Sequence, residues 1–122
     1  MKNDNLIQTE SYNFAVKIIR LYQFLTKEKK EFILSKQILR CGTSIGANIE
    51  EAIGGQSGKD FFAKITISYK EARETHFWLR LLYDTDYITI EKKDELLNDV
   101  EKILRIIGSI QKTMREKLNF KN

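Results

Sequence analysis

The stretch GKDFFAKITISYKEARETHFWLRLLYD, residues 58–84, decides the fold. Phe62, Ile65, Tyr69, Ala72, His76, Leu79 and Tyr83 recur in alternating steps of three and four. That is the repeat of a helix with one buried stripe. The segment ITISY (65–69) is β-prone taken alone, but its apolar positions keep the helical alternation. At 1.5 Å per residue the helix spans roughly 40 Å. It also carries Phe61, Ile67, Phe77, Trp78, Leu81 and Leu82 off the main stripe. Those positions wrap most of its circumference, more apolar surface than one bundle readily covers, and so predict self-association.

Upstream, Gly54-Gly55-Gln56-Ser57-Gly58 is the clearest break in the chain. It lacks the G-x-x-x-x-G-K-[ST] pattern of a phosphate-binding loop, and no strand precedes it. Ser57 with Asp60 reads as a capping-box variant opening the long helix. Before the break, a helix over about 35–53 is expected, with Ser35 as its N-cap. Ile38, Ile45, Ile49 and Ala52 share one face of it, and Gly42 and Gly46 predict close approach of another helix. A first helix over about 11–27 follows from Phe14, Ile18, Leu21 and Leu25. KEKKE (27–31) reads as a solvated turn. Downstream, DTDYIT (84–89) is a turn whose Thr89 caps a fourth helix over 89–118. Leu96, Val100, Ile103, Ile107, Ile110 and Met114 form its stripe. Gly108 marks either a close contact or a weak point. Four amphipathic helices with short connections predict an all-α, single-domain, up-and-down antiparallel four-helix bundle.

Composition agrees. The chain has 122 residues, no proline and six glycines, which favours long helices. It is 42% hydrophobic and 31% charged, too apolar for disorder. No run approaches the ~18 apolar residues of a membrane span. The polar start MKNDNLIQTE is no signal peptide, and Cys41 has no second cysteine to pair with, so a cytoplasmic protein is expected.

Catalytic chemistry is not legible. His76 falls on the heptad stripe, where a lone histidine reads as a core or interface residue. Zinc sites need several Cys/His ligands, and the chain offers one of each on different helices. Carboxylate-bridged metal pairs need two Glu-x-x-His motifs, whereas Arg73 stands three before His76. The spacing of Arg73 and His76 is also too short for the arginine–histidine pairs of some all-helical ribonucleases. Cys41 lacks a positioned base. No catalytic residue, metal or cofactor is assigned.

Two polar sets remain. Arg40, Ser44, Asn48 and Glu51 lie along one face of the second helix. Arg40 can meet Glu71 and Glu74, so the set reads as a structural or interface network. The second set holds the net charge of +4. Residues 1–104 contain 16 Lys/Arg and 16 Asp/Glu, whereas Arg105, Lys112, Arg115, Lys117 and Lys121 face only Glu116 in the last 18 residues. Arg105, Lys112 and Arg115 lie within about 80° of one another, opposite the apolar stripe. Such cations complement a helix C-terminus, and they are the candidate contacts for a nucleic-acid backbone. No aromatic stacking platform interleaves these cations, so single-strand base recognition is not indicated.

SKQILRCGTSIGANIEEAIGGQSGKDFFAKITISYKEARETHFWLRLLYDTDYI, residues 35–88, resembles the four-helix-bundle proteins encoded in intervening sequences of bacterial 23S ribosomal RNA genes. That family shows S-x-Q-x-x-R, then S-I-x-x-N-I-A-E-G, a glycine/basic loop, E-F, and a long helix ending in G-Y-I. Ser35, Gln37 and Arg40 correspond to the first part, with a local shift of one residue. Ser44, Ile45, Asn48, Ile49 and Glu51 correspond to the second. Asp60-Phe61 stands for E-F, and Asp86-Tyr87-Ile88 for G-Y-I. Glu50 departs from the usual alanine, and Ala52-Ile53 from the glycine. The resemblance implies a homo-oligomeric ring, commonly a pentamer. It extends to the accessory variability protein of diversity-generating retroelements, whose basic ring associates with a reverse transcriptase and nucleic acid. The partners it implies are further copies of the chain and nucleic acid or a nucleic-acid enzyme. A protein-interaction scaffold without nucleic acid is the alternative.

Overall fold

The computed structural model describes the backbone of residues 2–118 and the side chains of residues 5–118. Four helices follow in order: α1 (Lys2–Lys27), α2 (Leu34–Ile53), α3 (Gly58–Asp84) and α4 (Ile90–Leu118). No strand occurs among the described residues. Each helix packs on its neighbours in sequence, and α4 returns to α1 along the loosest seam. The result is a closed up-and-down four-helix bundle. Its core stacks Phe14, Ile18 and Leu25 of α1, Ile38, Ile45 and Ile49 of α2, Ile65, Leu79 and Leu82 of α3, and Leu96, Ile103 and Ile107 of α4.

α1 begins nine residues earlier than its expected start at residue 11. The polar opening hides a continuing stripe. Ile7 is buried one turn above Ser11, and its burial carries the helix upward.

α3 is rotated from the reading of its sequence. The buried positions are Ile65, Ser68, Ala72, Thr75, Leu79 and Leu82. Phe62, Tyr69, His76 and Tyr83 are half-buried along one flank. Ser68 and Thr75 tolerate the core because their hydroxyls donate to the carbonyls of Ile45 (2.9 Å) and Glu71 (2.8 Å). Of the six apolar residues thought surplus, Leu82 is wholly buried, Phe61, Trp78 and Leu81 are half-buried, and only Ile67 and Phe77 are exposed. The larger exposed apolar set lies on α1, with Tyr12, Val16, Ile19 and Phe24.

Ser35 is not the N-cap of α2. Ile33 holds the cap position and makes no side-chain cap bond. Glu31, placed by its sequence in a solvated turn, is instead buried. One carboxylate oxygen accepts the backbone N–H of Ser35 at 2.7 Å and the other that of Ile33 at 3.2 Å. Burial opposes the charge, but these N–H groups outweigh it and hold the carboxyl below its ordinary range. Ser57 does cap α3, accepting from the Asp60 N–H, and the Thr89 hydroxyl accepts from the Lys92 N–H.

α3 ends with Asp86 at φ 69 while the Tyr87 N–H reaches the Leu82 carbonyl at 2.9 Å. That is a Schellman closure, whose left-handed position favours glycine and tolerates aspartate. It explains why Asp86 can stand where the resembled pattern has glycine.

Gly42 and Gly46 sit where α1 crosses α2. A Cβ on Gly42 would lie 2.8 Å from Ile18 Cγ1 and Cγ2, and one on Gly46 would lie 3.3 Å from the Ser11 carbonyl oxygen. Gly108 has nothing within 4 Å of such a position, so it makes no close contact. Gly42→Ala therefore loses about 1–2 kcal/mol in chemical denaturation, crowding outweighing the gain in helix propensity. Gly108→Ala gains up to about 1 kcal/mol in the same measurement. For Glu31→Gln, one amide –NH2 must replace an acceptor, so a loss of about 1 kcal/mol is expected at neutral pH. A carboxyl held low stabilises above its unfolded-state range and loses that contribution as pH falls through its folded value. The gap between wild type and Glu31→Gln should thus narrow as pH falls below the ordinary carboxylate range.

Candidate nucleic-acid interface

α4 carries two electrostatic halves. In its first half, Asp94 pairs with Lys93, Glu95 with Lys92 and Lys17, and Asp99 with Lys17, while Glu101 is hydrogen-bonded to His76. The Lys17 ammonium sits 2.8 Å from Asp99 and 3.1 Å from Glu95. The hydrogen bond to Asp99 is the main reason its proton is held above the ordinary lysine range. In the second half, Arg105 and Lys112 are exposed and have no ion pair or hydrogen bond among the described residues. Arg115 is exposed too, with its guanidinium carbon 5.5 Å from the Phe62 ring centre. Lys117 is exposed on the last described turn. Lys121 lies outside the described residues.

The structure adds a neighbouring helix to this surface. Three contacts set the register of α3 against α4. The His76 ring Nε2 lies 3.1 Å from Glu101, the Gln111 amide donates to the Thr66 hydroxyl at 3.4 Å, and Arg115 covers Phe62. Arg73, Phe77 and Arg80 of α3 then line one open cleft with Leu104 and Glu101 of α4. No carboxylate pairs with Arg73 or Arg80 among the described residues. Arg80 Nε donates to the His76 carbonyl at 3.4 Å. Sequence reading missed these residues because it put His76 on the buried stripe. The spacing of Arg73, Phe77 and Arg80 at i, i+4 and i+7 was the available signal.

Arg40, Ser44, Asn48 and Glu51 lie along the α2–α3 side. Arg40 reaches Glu71 at 3.1 Å and also bonds Glu74. Glu74 is held below its ordinary range first by the Trp78 indole N–H, then, against burial, by Arg40. Glu51 pairs with Lys64 at 2.8 Å. The Asn48 amide donates to the Ser44 carbonyl and hydroxyl, both at 2.9 Å. Arg40 and Glu51 thus tie α2 to α3 within one chain, while Ser44 and Asn48 satisfy each other. Glu50, in place of the pattern's alanine, accepts both oxygens' worth of bonding from the Gln8 amide at 3.0 and 3.1 Å, joining α2 to α1.

Among the described residues, no cluster of three or more His, Cys, Asp or Glu could hold a metal ion. No helix among them is long and apolar enough to cross a membrane. Cys41 is wholly buried, and burial pushes its thiol up to about 11, a Thr75 hydrogen bond opposing. A thiol at neutral pH is a poor nucleophile. Native protein at pH 7.5 should leave Cys41 unlabelled by a chromogenic thiol reagent, with one equivalent reacting after denaturation.

Residues 3–109 match the family model described as 23S rRNA-intervening sequence protein. The chain is also similar to a crystal structure from Bacteroides thetaiotaomicron VPI-5482, described as a protein with unknown function from the S23 ribosomal protein family. The two share 52% identity over 90% of this chain and 98% of that one, with a TM-score of 0.89. No curated protein matches the chain significantly. With a family model spanning most of its length and a four-helix bundle of the same shape, the chain belongs to the 23S rRNA-intervening sequence protein family.

Proposed function

We propose that the chain is a non-catalytic, self-associating helical module that binds the phosphate backbone of RNA or DNA through the cationic end of α4. One observation carries this reading. In the first half of α4, Asp94, Glu95 and Asp99 pair with lysines and Glu101 is hydrogen-bonded to His76, whereas Arg105 and Lys112 are left without carboxylate partners among the described residues. Exposed cations in such an arrangement attract a polyanion without reading its sequence. Copies of the chain around a ring would repeat the patch and multiply its affinity. Support for self-association comes from α1, where Tyr12, at 67% exposure, Val16 and Ile19 leave apolar surface uncovered. Membership in a family named for intervening sequences of 23S rRNA is in keeping with a nucleic-acid partner.

Binding of a generic RNA and a generic duplex, titrated at several salt concentrations, tests the proposal. Affinity should fall steeply with salt, and the log–log slope should drop by about one for each cation removed. Arg105→Glu with Lys112→Glu should weaken binding to both polymers while light scattering shows an unchanged oligomer. A response flat in salt would sink the nucleic-acid reading and leave a protein-interaction scaffold. A monomer at micromolar concentration would remove self-association.

A further inference from the structure

We propose that the face shared by α3 and α4 takes single-stranded nucleic acid, with Phe77 as the surface on which a base stacks. This rests on the function proposed above and names the form of polymer that the cationic surface accepts.

Phe77 is 46% exposed in the middle of α3. It is not a loose side chain. Its ring meets Trp78 edge-on, with centres 5.3 Å apart and planes at 74°. Trp78 is itself anchored through its indole N–H to Glu74 at 2.9 Å. An aromatic ring is therefore held at the surface at little further entropic loss on binding.

The ring's surroundings are cationic. Arg73 and Arg80 flank Phe77 one turn to either side, and the Arg80 guanidinium carbon lies 6.0 Å from its ring centre. The two carboxylates of the cleft are already committed, Glu101 to His76 and Glu74 to Arg40 and Trp78. Arg73 and Arg80 keep their charge for an outside partner. The open cleft they line with Phe77 and Leu104 has a volume near 690 Å³. Beyond Leu104, α4 carries the exposed Arg105 and Lys112 and then Arg115, which covers Phe62 of α3. Between them Gly108 presents no side chain and has open space above it.

Three polyanions could answer the charge, and the aromatic ring separates them. A duplex keeps its base faces stacked inside, so it gains nothing from Phe77. An acidic peptide pairs with the arginines but has no flat π-face to offer. A single strand supplies phosphates for the cations and unstacked bases for the ring, the combination found where strands bind without sequence preference.

The test compares the full-length protein with Phe77→Leu and Phe77→Tyr, using an oligothymidylate of about 16 nucleotides, a duplex, and a polyglutamate peptide. Leucine at this exposed site keeps the apolar bulk, and thermal unfolding verifies the fold. Phe77→Leu should lower affinity for the single strand about tenfold, leave duplex affinity within about twofold, and be rescued by Phe77→Tyr. Polyglutamate should compete poorly at equal charge. The inference is overturned if Phe77→Leu binds the single strand as wild type does, or weakens single strand and duplex alike. Polyglutamate competing as well as the oligonucleotide also overturns it, in favour of an acidic protein partner. In those cases salt-dependent binding lost with Arg105→Glu and Lys112→Glu would leave the broader proposal standing. Absence of binding by wild-type protein to either nucleic acid at low salt would overturn both.

Discussion

Burial of Ile65, Ser68, Ala72, Thr75, Leu79 and Leu82 sets the rotation of α3, and the outer surface of the bundle follows from it. With that stripe turned inward, His76 moves to the flank and meets Glu101. Arg73, Phe77 and Arg80 turn outward beside α4. The rotation is affordable because two polar residues on the stripe are satisfied by backbone carbonyls, one of them across to α2. A buried hydroxyl without such a partner would destabilise the bundle by about 1–3 kcal/mol. The same contact that lets Ser68 enter the core also pins α3 to α2 in register.

The close crossing of α1 and α2 works with this. Gly42 and Gly46 let the two backbones approach, at the expense of helix propensity recovered through contact with Ile18 and Ser11. The surface ion pairs add less. Arg40 is about half exposed, and pairs of that kind contribute under about 1 kcal/mol. Their larger effect is on what remains. Carboxylates paired with Arg40, Lys17 and Lys64 are not paired with the cations further along α4. Arg105 and Lys112 therefore keep their charge for solvent, where a polyanion can meet it.

Much of the bundle was legible because helical periodicity is a local property. The stripes of α2 and α4 and the Ser57 and Thr89 caps follow from spacing along the chain, and the expected meeting of Arg40 with Glu71 and Glu74 is found between α2 and α3. The misreadings share a cause, which is that hydrophobicity was taken as a proxy for burial. Ser68 and Thr75 lost to Tyr69 and His76 as core positions, although a hydroxyl with a carbonyl partner is as much at home inside. Glu31 was assigned to water because of its charge, yet the N–H groups opening α2 hold that charge in place. Ile7 was passed over because the stretch around it, MKNDNLIQTE, is mostly polar.

Of the candidate interface, the amino-acid order alone determined the cationic end of α4, since the charges of Arg105, Lys112 and Arg115 recur at helical spacing whatever the helix packs against. It also determined four amphipathic helices and hence a bundle, because each stripe needs a partner to leave water. Tertiary structure alone decided which aromatic and cationic residues of α3 stand beside those charges. That depends on the relative rotation and register of two helices, which bring together residues such as His76 and Glu101, 25 positions apart in the chain, and which are fixed by packing and hydrogen bonds between helices rather than by any local preference.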